Sequence, residues 1–208
     1  MKFTTYTTFP EQTSNESLWI LVDSEQLQSN LNTYQINNLE SILTATQFKA
    51  NFNETLPLFG QLSTQPHSQL LGLGKAAELQ AAKLAKLAQT IIKSAQNKFK
   101  HIAIDIAALP VEYHYLFALS LTQAAYGYDE FKSKKNEFVL QQVDLISSQT
   151  SLDENQLALV HAVQSGQSYA RDLGNRPGNI CFPEYLAEQA LALAAEFPDL
   201  LKVTDRKS

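Results

Sequence analysis

The sequence predicts an α/β fold: one complete α/β domain, a long helix, and the opening of a second α/β domain. Three observations predict it. Across residues 1–150, short apolar runs of strand length alternate with segments of helical period. A capping pattern at Ser151 then opens a helical period that continues to about residue 174. Beyond a Pro/Gly/Asn turn at residues 177–179 only one helix and half a strand follow, too little to bury their own apolar faces. The expected division is 1–150 for the first domain, 151–174 for an interdomain helix and 175–208 for the start of the second domain.

Residues 2–8 alternate Phe3, Thr5 and Thr7 with Thr4, Tyr6 and Thr8, a Thr- and aromatic-rich strand pattern. Residues 10–16 read as a polar turn. Residues 18–22 (LWILV) are continuously apolar, as in a strand buried on both faces. A polar helical region follows, with Ile36, Leu39, Ile42 and Leu43 at helical spacing. Residues 56–60 (LPLFG) are strand-like, and Pro57 places them at a sheet edge.

Residues 70–73 form a short strand that runs through Gly72-Leu73-Gly74-Lys75 into a long helix. There Ala77, Ala81, Leu84, Ala88, Ile91 and Ala95 make one apolar stripe. Ile102, Ile104 and Ile106 mark the next strand. Pro110 suits the first turn of a helix buried through Tyr113, Phe117, Leu121 and Ala124. Residues 137–146 alternate as the domain's last strand. Ser151-x-x-Glu154 is a capping box for a helix of about 20 residues, roughly 30 Å long. Its expected inner face is Leu159, Val163, Gly166, Ala170 and Leu173, and Gly174-Asn175 stop it. Pro183 opens the final helix, with Leu186, Ala190, Leu193 and Phe197 inward. Residues 200–204 start a strand before the chain reaches 205–208 (DRKS).

Totals narrow the function. The chain has 208 residues, is 44% hydrophobic and carries a net charge of −5, a balance that does not support nucleic acid or an anionic membrane as partner. Cys181 is the single cysteine, which leaves no intramolecular disulfide framework and no cysteine zinc cluster. The amino terminus has no apolar core of signal-peptide length, and no run approaches the roughly 20 apolar residues that span a bilayer. A cytoplasmic location is the simple reading.

The stretch 166–188, GQSYARDLGNRPGNICFPEYLAE, resembles the start of the catalytic domain of the cytosol (leucyl) aminopeptidases, which are two-metal exopeptidases. Ala170-Arg171-Asp172-Leu173, Asn175, Pro177, Asn179, Pro183 and Tyr185-Leu186-Ala187 carry the likeness. The Leu71–Lys75 turn and the Ala/Lys/Leu helix after it are similar to the corresponding part of the family's N-terminal domain. Phe182 departs from the pattern, in which Thr or Asn often precedes the proline and caps the helix. The resemblance implies a mixed sheet flanked by helices, similar to macro domains, joined by a long helix to the catalytic domain. It implies removal of N-terminal residues, often leucine, from peptides by two divalent metals, zinc or manganese, and assembly into hexamers with N-terminal domains outward. The family's signature block Asn-Thr-Asp-Ala-Glu-Gly-Arg does not occur in these 208 residues. The expected catalytic, metal and cofactor residues of this chain are therefore none, and the chain alone is expected to be inactive with a structural or assembly role. The alternative is a macro-like module that binds a nucleotide or ADP-ribose.

Single residues and short motifs admit sharper readings. Gly72-Leu73-Gly74-Lys75 before a helix could cradle phosphate; lacking Walker spacing, it reads first as a tight turn. His67, His101, His114 and His161 are scattered; His101 and Asp105 share a strand face about 13 Å apart, and Glu112 and His114 point different ways. Surface or core histidines are expected rather than ligands. Cys181 has no base beside it and reads as a small hydrophobe. Arg171-Asp172 suits a local ion pair or an interdomain contact, and Lys132, Lys134 and Lys135 a solvated loop.

Overall fold

The computed structural model describes residues 1–8, 15–62, 65, 67–135, 137–149 and 152–204. Most of the expected turn at 10–16, Ser151 and residues 205–208 lie outside the described residues. The chain divides by packing into Met1–Gln164 and Ser165–Ser208.

The first unit holds the strands β1 (Lys2–Tyr6), β2 (Ser17–Asp23), β3 (Thr55–Pro57), β4 (Ser68–Gly74), β5 (His101–Asp105) and β6 (Gln142–Ile146). Its helices are α1 (Leu27–Leu31), α2 (Leu39–Thr46), α3 (Ala81–Ala95), α4 (His114–Ala125) and the first part of α5 (Glu154–Asn175). The strands form one sheet in the order β1-β6-β5-β2-β4-β3. All neighbours are parallel except β3, which runs antiparallel at one edge and ends at Pro57. The α/β expectation holds, and so does the edge position that Pro57 implied.

Every residue of β2 is buried. Trp19 and Leu21 join a core with Leu84, Leu87, Ile91 and Ile92 of α3, Phe117 and Leu121 of α4, and Val160 of α5. Leu18, Ile20 and Val22 join a second core with Leu31, Phe48, Ala50 and Leu58, against which Leu39, Ile42 and Leu43 of α2 pack. Strand alternation thus sends successive side chains into two separate cores, one on each face of the sheet.

Several boundaries differ from expectation for physical reasons. Ile36 is not helical but bridges to Leu62, and α2 is bracketed by left-handed Asn38 and Gln47. Ala77 and Ala81 are exposed; the buried face of α3 is instead the wider Leu84, Leu87, Ala88, Ile91, Ile92 and Ala95. Residues 137–141 are not strand, because the N–H groups of Val139 and Leu140 both donate to Gln96 O at the end of α3. Pro110 is extended and precedes a 3-10 turn, Val111–Tyr113, before α4 begins. In α5 the residues on the core are Leu157 and Val160, whereas Leu159 is exposed. The capping box at its start is made by Asp153 and Gln156: Gln156 N–H donates to Asp153 Oδ1 at 2.7 Å, and Asp153 N–H to Gln156 Oε1 at 3.1 Å.

Residues 50–54 lie directly on β4. Gly72 N–H donates to Glu54 O (2.8 Å), Gly74 N–H to Ala50 O (3.0 Å), and Asn53 N–H to Gly72 O (2.8 Å). A Cβ on Gly72 would sit 2.2 Å from Asn51 O and 2.5 Å from Ala50 C, both main-chain atoms. The approaching segment bends sharply, with Gln47, Ala50 and Asn53 all at positive φ. Ala50 is the costly one, since an L-residue there loses roughly 1–2 kcal/mol.

Two substitutions test this contact. Gly72→Ala should destabilise the chain by about 3 kcal/mol or more, because a main-chain clash cannot relax by rotamer change. Ala50→Gly should change stability by less than about 1 kcal/mol, because relief of left-handed strain is offset by the added unfolded-state entropy and by loss of the buried methyl. Urea unfolding midpoints measure both, and a neutral Gly72→Ala would contradict the packing described.

Candidate functional site

In an α/β sheet the ligand crevice expected from topology lies outside the carboxyl ends of strands whose connections leave to opposite faces. Here that position is between β2 and β5, adjacent parallel strands. From β2 the chain passes to α1 and α2, on the second core; from β5 it passes to α4, on the first. Each strand ends in an aspartate, Asp23 and Asp105.

Both carboxylates are engaged by the protein itself. Asp23 Oδ1 accepts from Glu25 N–H (3.0 Å) and from Ala76 N–H (3.3 Å), so it fastens the end of β2 to the turn after β4. Asn30 Oδ1 accepts Asp23 N–H (3.0 Å), and Gly74 O accepts Ser24 N–H (2.9 Å). Asp105 accepts from Ala107 N–H (2.7 Å) and from the Tyr34 hydroxyl. Gln149 closes the same loop by donating to Ala107 O (3.1 Å). The arrangement is a clasp that ties the α1–α2 segment on one face of the sheet to the mouth of β5.

Burial raises the Asp105 carboxyl above the ordinary carboxylate range, while the hydrogen bonds from Tyr34 and Ala107 pull it back in part. Tyr34 is pushed far up, first by burial and then by the Asp105 charge beside it. The residue pattern held a signal for these groups: apolar strands closing on an aspartate, LWILVD and HIAID.

The expected tight turn at Gly72–Lys75 is instead the end of β4, which runs to Gly74; Lys75 is extended and leads into a 3-10 turn, Ala76–Glu78, before α3. The N–H groups of Gly72 and Gly74 already donate to Glu54 and Ala50 carbonyls, so they do not form a phosphate cradle. Lys75 pairs with Glu25 (3.0 Å) on the exposed rim. Among the histidines, His114 is buried with Nε2 3.0 Å from Leu109 O. His161 packs on Phe3 at 6.0 Å between ring centroids, and His67 on Phe99 at 5.4 Å. His101 begins β5. The four lie on different elements. Lys132, Lys134 and Lys135 are exposed in the loop after α4.

The second unit contains the end of α5 and α6 (Pro183–Glu196). Tyr169 donates to Gln189 O at 3.4 Å. The Arg176 guanidinium lies 5.3 Å from the Tyr185 ring centroid and donates to its hydroxyl. These contacts fix the turn between the helices, a role for Arg176 and Tyr185 that the sequence did not disclose. Cys181 is half-buried, and its N–H donates to Pro177 O at 2.9 Å. Phe182 is the N-cap of α6 and makes no side-chain cap hydrogen bond; Pro183 follows at the first helical position. Residues 201–204 are irregular rather than strand.

Two outcomes follow from these contacts. Because burial holds the folded Asp105 proton more tightly than the unfolded chain does, its contribution to stability is full below the unfolded value of 3.8 and is lost as pH rises through the folded value. Asp105→Asn should flatten the stability loss that wild type shows above pH 3.8, read from urea midpoints across a pH series. Phe182→Ser should supply the absent cap and stabilise α6 by about 0.5–2 kcal/mol, measured by helix amide exchange.

Comparison with known proteins places this geometry. Residues 20–135 match the cytosol aminopeptidase family, N-terminal domain. A probable cytosol aminopeptidase of Acinetobacter baylyi is 59% identical over 204 residues, 98% of this chain and 42% of the relative. One of Pseudomonas fluorescens is 36% identical over 149 residues, 66% of this chain and 30% of the relative. The chain thus spans about two fifths or less of the length of these relatives. A tomato leucine aminopeptidase mutant matches in structure with TM-score 0.76 at 20% identity, over 98% of this chain and 44% of its own. The bottromycin maturation enzyme BotP in complex with Mn matches with TM-score 0.64 at 17% identity, over 88% of this chain and 37% of its own. At such identity the two structures speak to the fold, while the matched family domain, over more than half of the residues, establishes kinship: the chain belongs to the cytosol aminopeptidase family.

Proposed function

We propose that these 208 residues supply the N-terminal α/β domain (1–150), the connecting helix (151–174) and the opening elements of the catalytic domain (175–208) of a metal-dependent aminopeptidase. The enzyme would act in the cytoplasm and remove N-terminal residues, often leucine, from peptides. The observation that carries this reading is the 59% identity across 204 residues to a chain named as a cytosol aminopeptidase.

Two divalent metals, zinc or manganese, are implied by the resemblance, and manganese is present in the BotP complex. The residues described here do not fit such a centre: no group of three or more His, Cys, Asp or Glu among them converges closely enough to hold a metal ion. The chain's own contribution is structural. The clasped mouth of the sheet and the close contact at Gly72 make a rigid domain, and α5 carries the chain from it into the peptidase part. In the hexamer that the resemblance implies, such a domain would sit outward and limit access to the active sites.

The test is activity against leucine p-nitroanilide with added zinc or manganese. The 208-residue chain should release no product, and the longer reading frame that includes it should release product in a metal-dependent way. Turnover by the 208-residue chain alone, or an inactive longer protein that is folded and metal-loaded, would overturn the proposal. Deleting residues 1–150 from the longer protein should change oligomer size or substrate-length preference.

A further inference from the structure

A cavity of about 320 Å³ opens at the other end of the sheet from the Asp23–Asp105 clasp, lined by Phe59, His67, Gln69, Ser94, Lys98 and Phe99. Its size is at the lower end of the range that small-molecule sites occupy. Its walls are held by the main chain. Leu18 N–H donates to His67 O (2.9 Å), Leu58 N–H to Ser68 O (2.8 Å), and both Lys98 and Phe99 N–H to Ala95 O (3.0 Å). Gln69 pairs with Pro57 across β3 and β4.

Phe59 forms the outer lip. It occupies a turn closed by Gln61 N–H donating to Leu58 O (3.1 Å), with Gly60 at φ 66° as the following residue. Glycine at that place sets a type II turn, which fixes the direction of the residue before it. Phe59 is 68% exposed although its backbone is pinned, so an aromatic surface is presented without collapsing onto the core. Phe99, whose ring is tilted 44° against that of His67, supplies the inner apolar wall.

The polar lining combines one cation with neutral groups. Lys98 is cationic, Ser94, Gln69 and His67 can donate, and none of the six side chains is acidic. Lys98 lies just past the carboxyl end of α3, whose macrodipole carries about half a negative charge. Lys98 is the single cation of the lining, which matches one negative charge better than the two of a phosphate dianion. We propose that this cavity binds an arylalkyl monocarboxylate, with the carboxylate on Lys98 and the neutral donors and the ring against Phe59 and Phe99. The site is independent of the peptidase reading and of any metal.

Amide-resolved NMR of the isotope-labelled 208-residue chain, titrated with 3-phenylpropionate, tests it. Saturable shifts are expected at residues 59, 67, 69, 94, 98 and 99, with a Kd on the order of 1–10 mM for so small a ligand. Lys98→Gln should weaken binding about fivefold or more, and Phe59→Ala about threefold or more; unchanged amide positions elsewhere would show that both variants fold. Propionate tests the carboxylate alone and 3-phenylpropanol the ring alone, and each should bind more weakly than 3-phenylpropionate. No saturable shift by about 20 mM, undiminished binding in Lys98→Gln, or inorganic phosphate binding as tightly as 3-phenylpropionate would overturn the proposal.

Discussion

β2 has no solvent face, and that single constraint organises the first unit. A strand with Trp19 and Leu21 on one side and Leu18, Ile20 and Val22 on the other must be covered twice. α3, α4 and the start of α5 cover one side; α1, α2 and the side chains of Phe48, Ala50, Leu58 and Leu62 cover the other. The chain must therefore leave neighbouring strands toward opposite faces, and this creates a mouth between β2 and β5. Parallel sheets commonly use such a mouth for ligands. Here the polar groups at the mouth bond to the segments that leave it. Tyr34 comes from the α1–α2 side, Ala107 from the loop toward α4, and Ala76 from the turn after β4. The same aspartates that could face a ligand instead hold the two covering layers to the sheet.

The contact at Gly72 shows how that cover is made tight. Residues 50–54 hydrogen-bond to β4 and extend the sheet's edge as a bent main-chain layer. The approach leaves no volume for a Cβ, so β4 needs glycine there, while the bend needs positive φ at Gln47, Ala50 and Asn53. Asparagine tolerates that region well and alanine poorly. Strain at Ala50 is outweighed by three main-chain hydrogen bonds and by burial of Phe48 and Ala50 in the second core. Thr90 of α3 reaches the same loop, its hydroxyl donating to Asn53 Oδ1 at 2.7 Å, which links the loop to a helix of the opposite core.

What the sequence disclosed followed from range. β2 was readable because five apolar residues in a row admit few other environments, and Pro57 marked an edge by its own chemistry. At the start of α5 two capping patterns overlap in the sequence, Ser151-x-x-Glu154 and Asp153-x-x-Gln156, and only three-dimensional geometry shows the reciprocal bonds of the second. Residues 137–141 alternate like a strand, yet a strand requires a neighbour, and their N–H groups found the end of α3. The Tyr34–Asp105 bond joins residues 71 positions apart, and Gly72 meets residues some 20 positions earlier. No local spacing encodes either. The family-bearing stretch 166–188 was legible as a resemblance, but Arg176 on Tyr185 became visible only once the turn had brought the two helices together.

The second unit obeys the opposite rule from β2. In α6 no residue is buried, and Leu186, Leu191, Phe197 and Leu200 are each more than two-fifths exposed. Arg176, Tyr185, Tyr169 and Gln189 hold α5 to α6 through polar and ring contacts rather than through a core. A helix pair joined this way keeps its geometry but gains little from the hydrophobic effect, which requires apolar area to leave water. On the proposed reading the exposed leucines belong to a peptidase domain whose sheet covers them, consistent with relatives more than twice as long as this chain. The first unit closes its own core and its own mouth; the second has a fixed turn and exposed apolar side chains that its own residues leave uncovered.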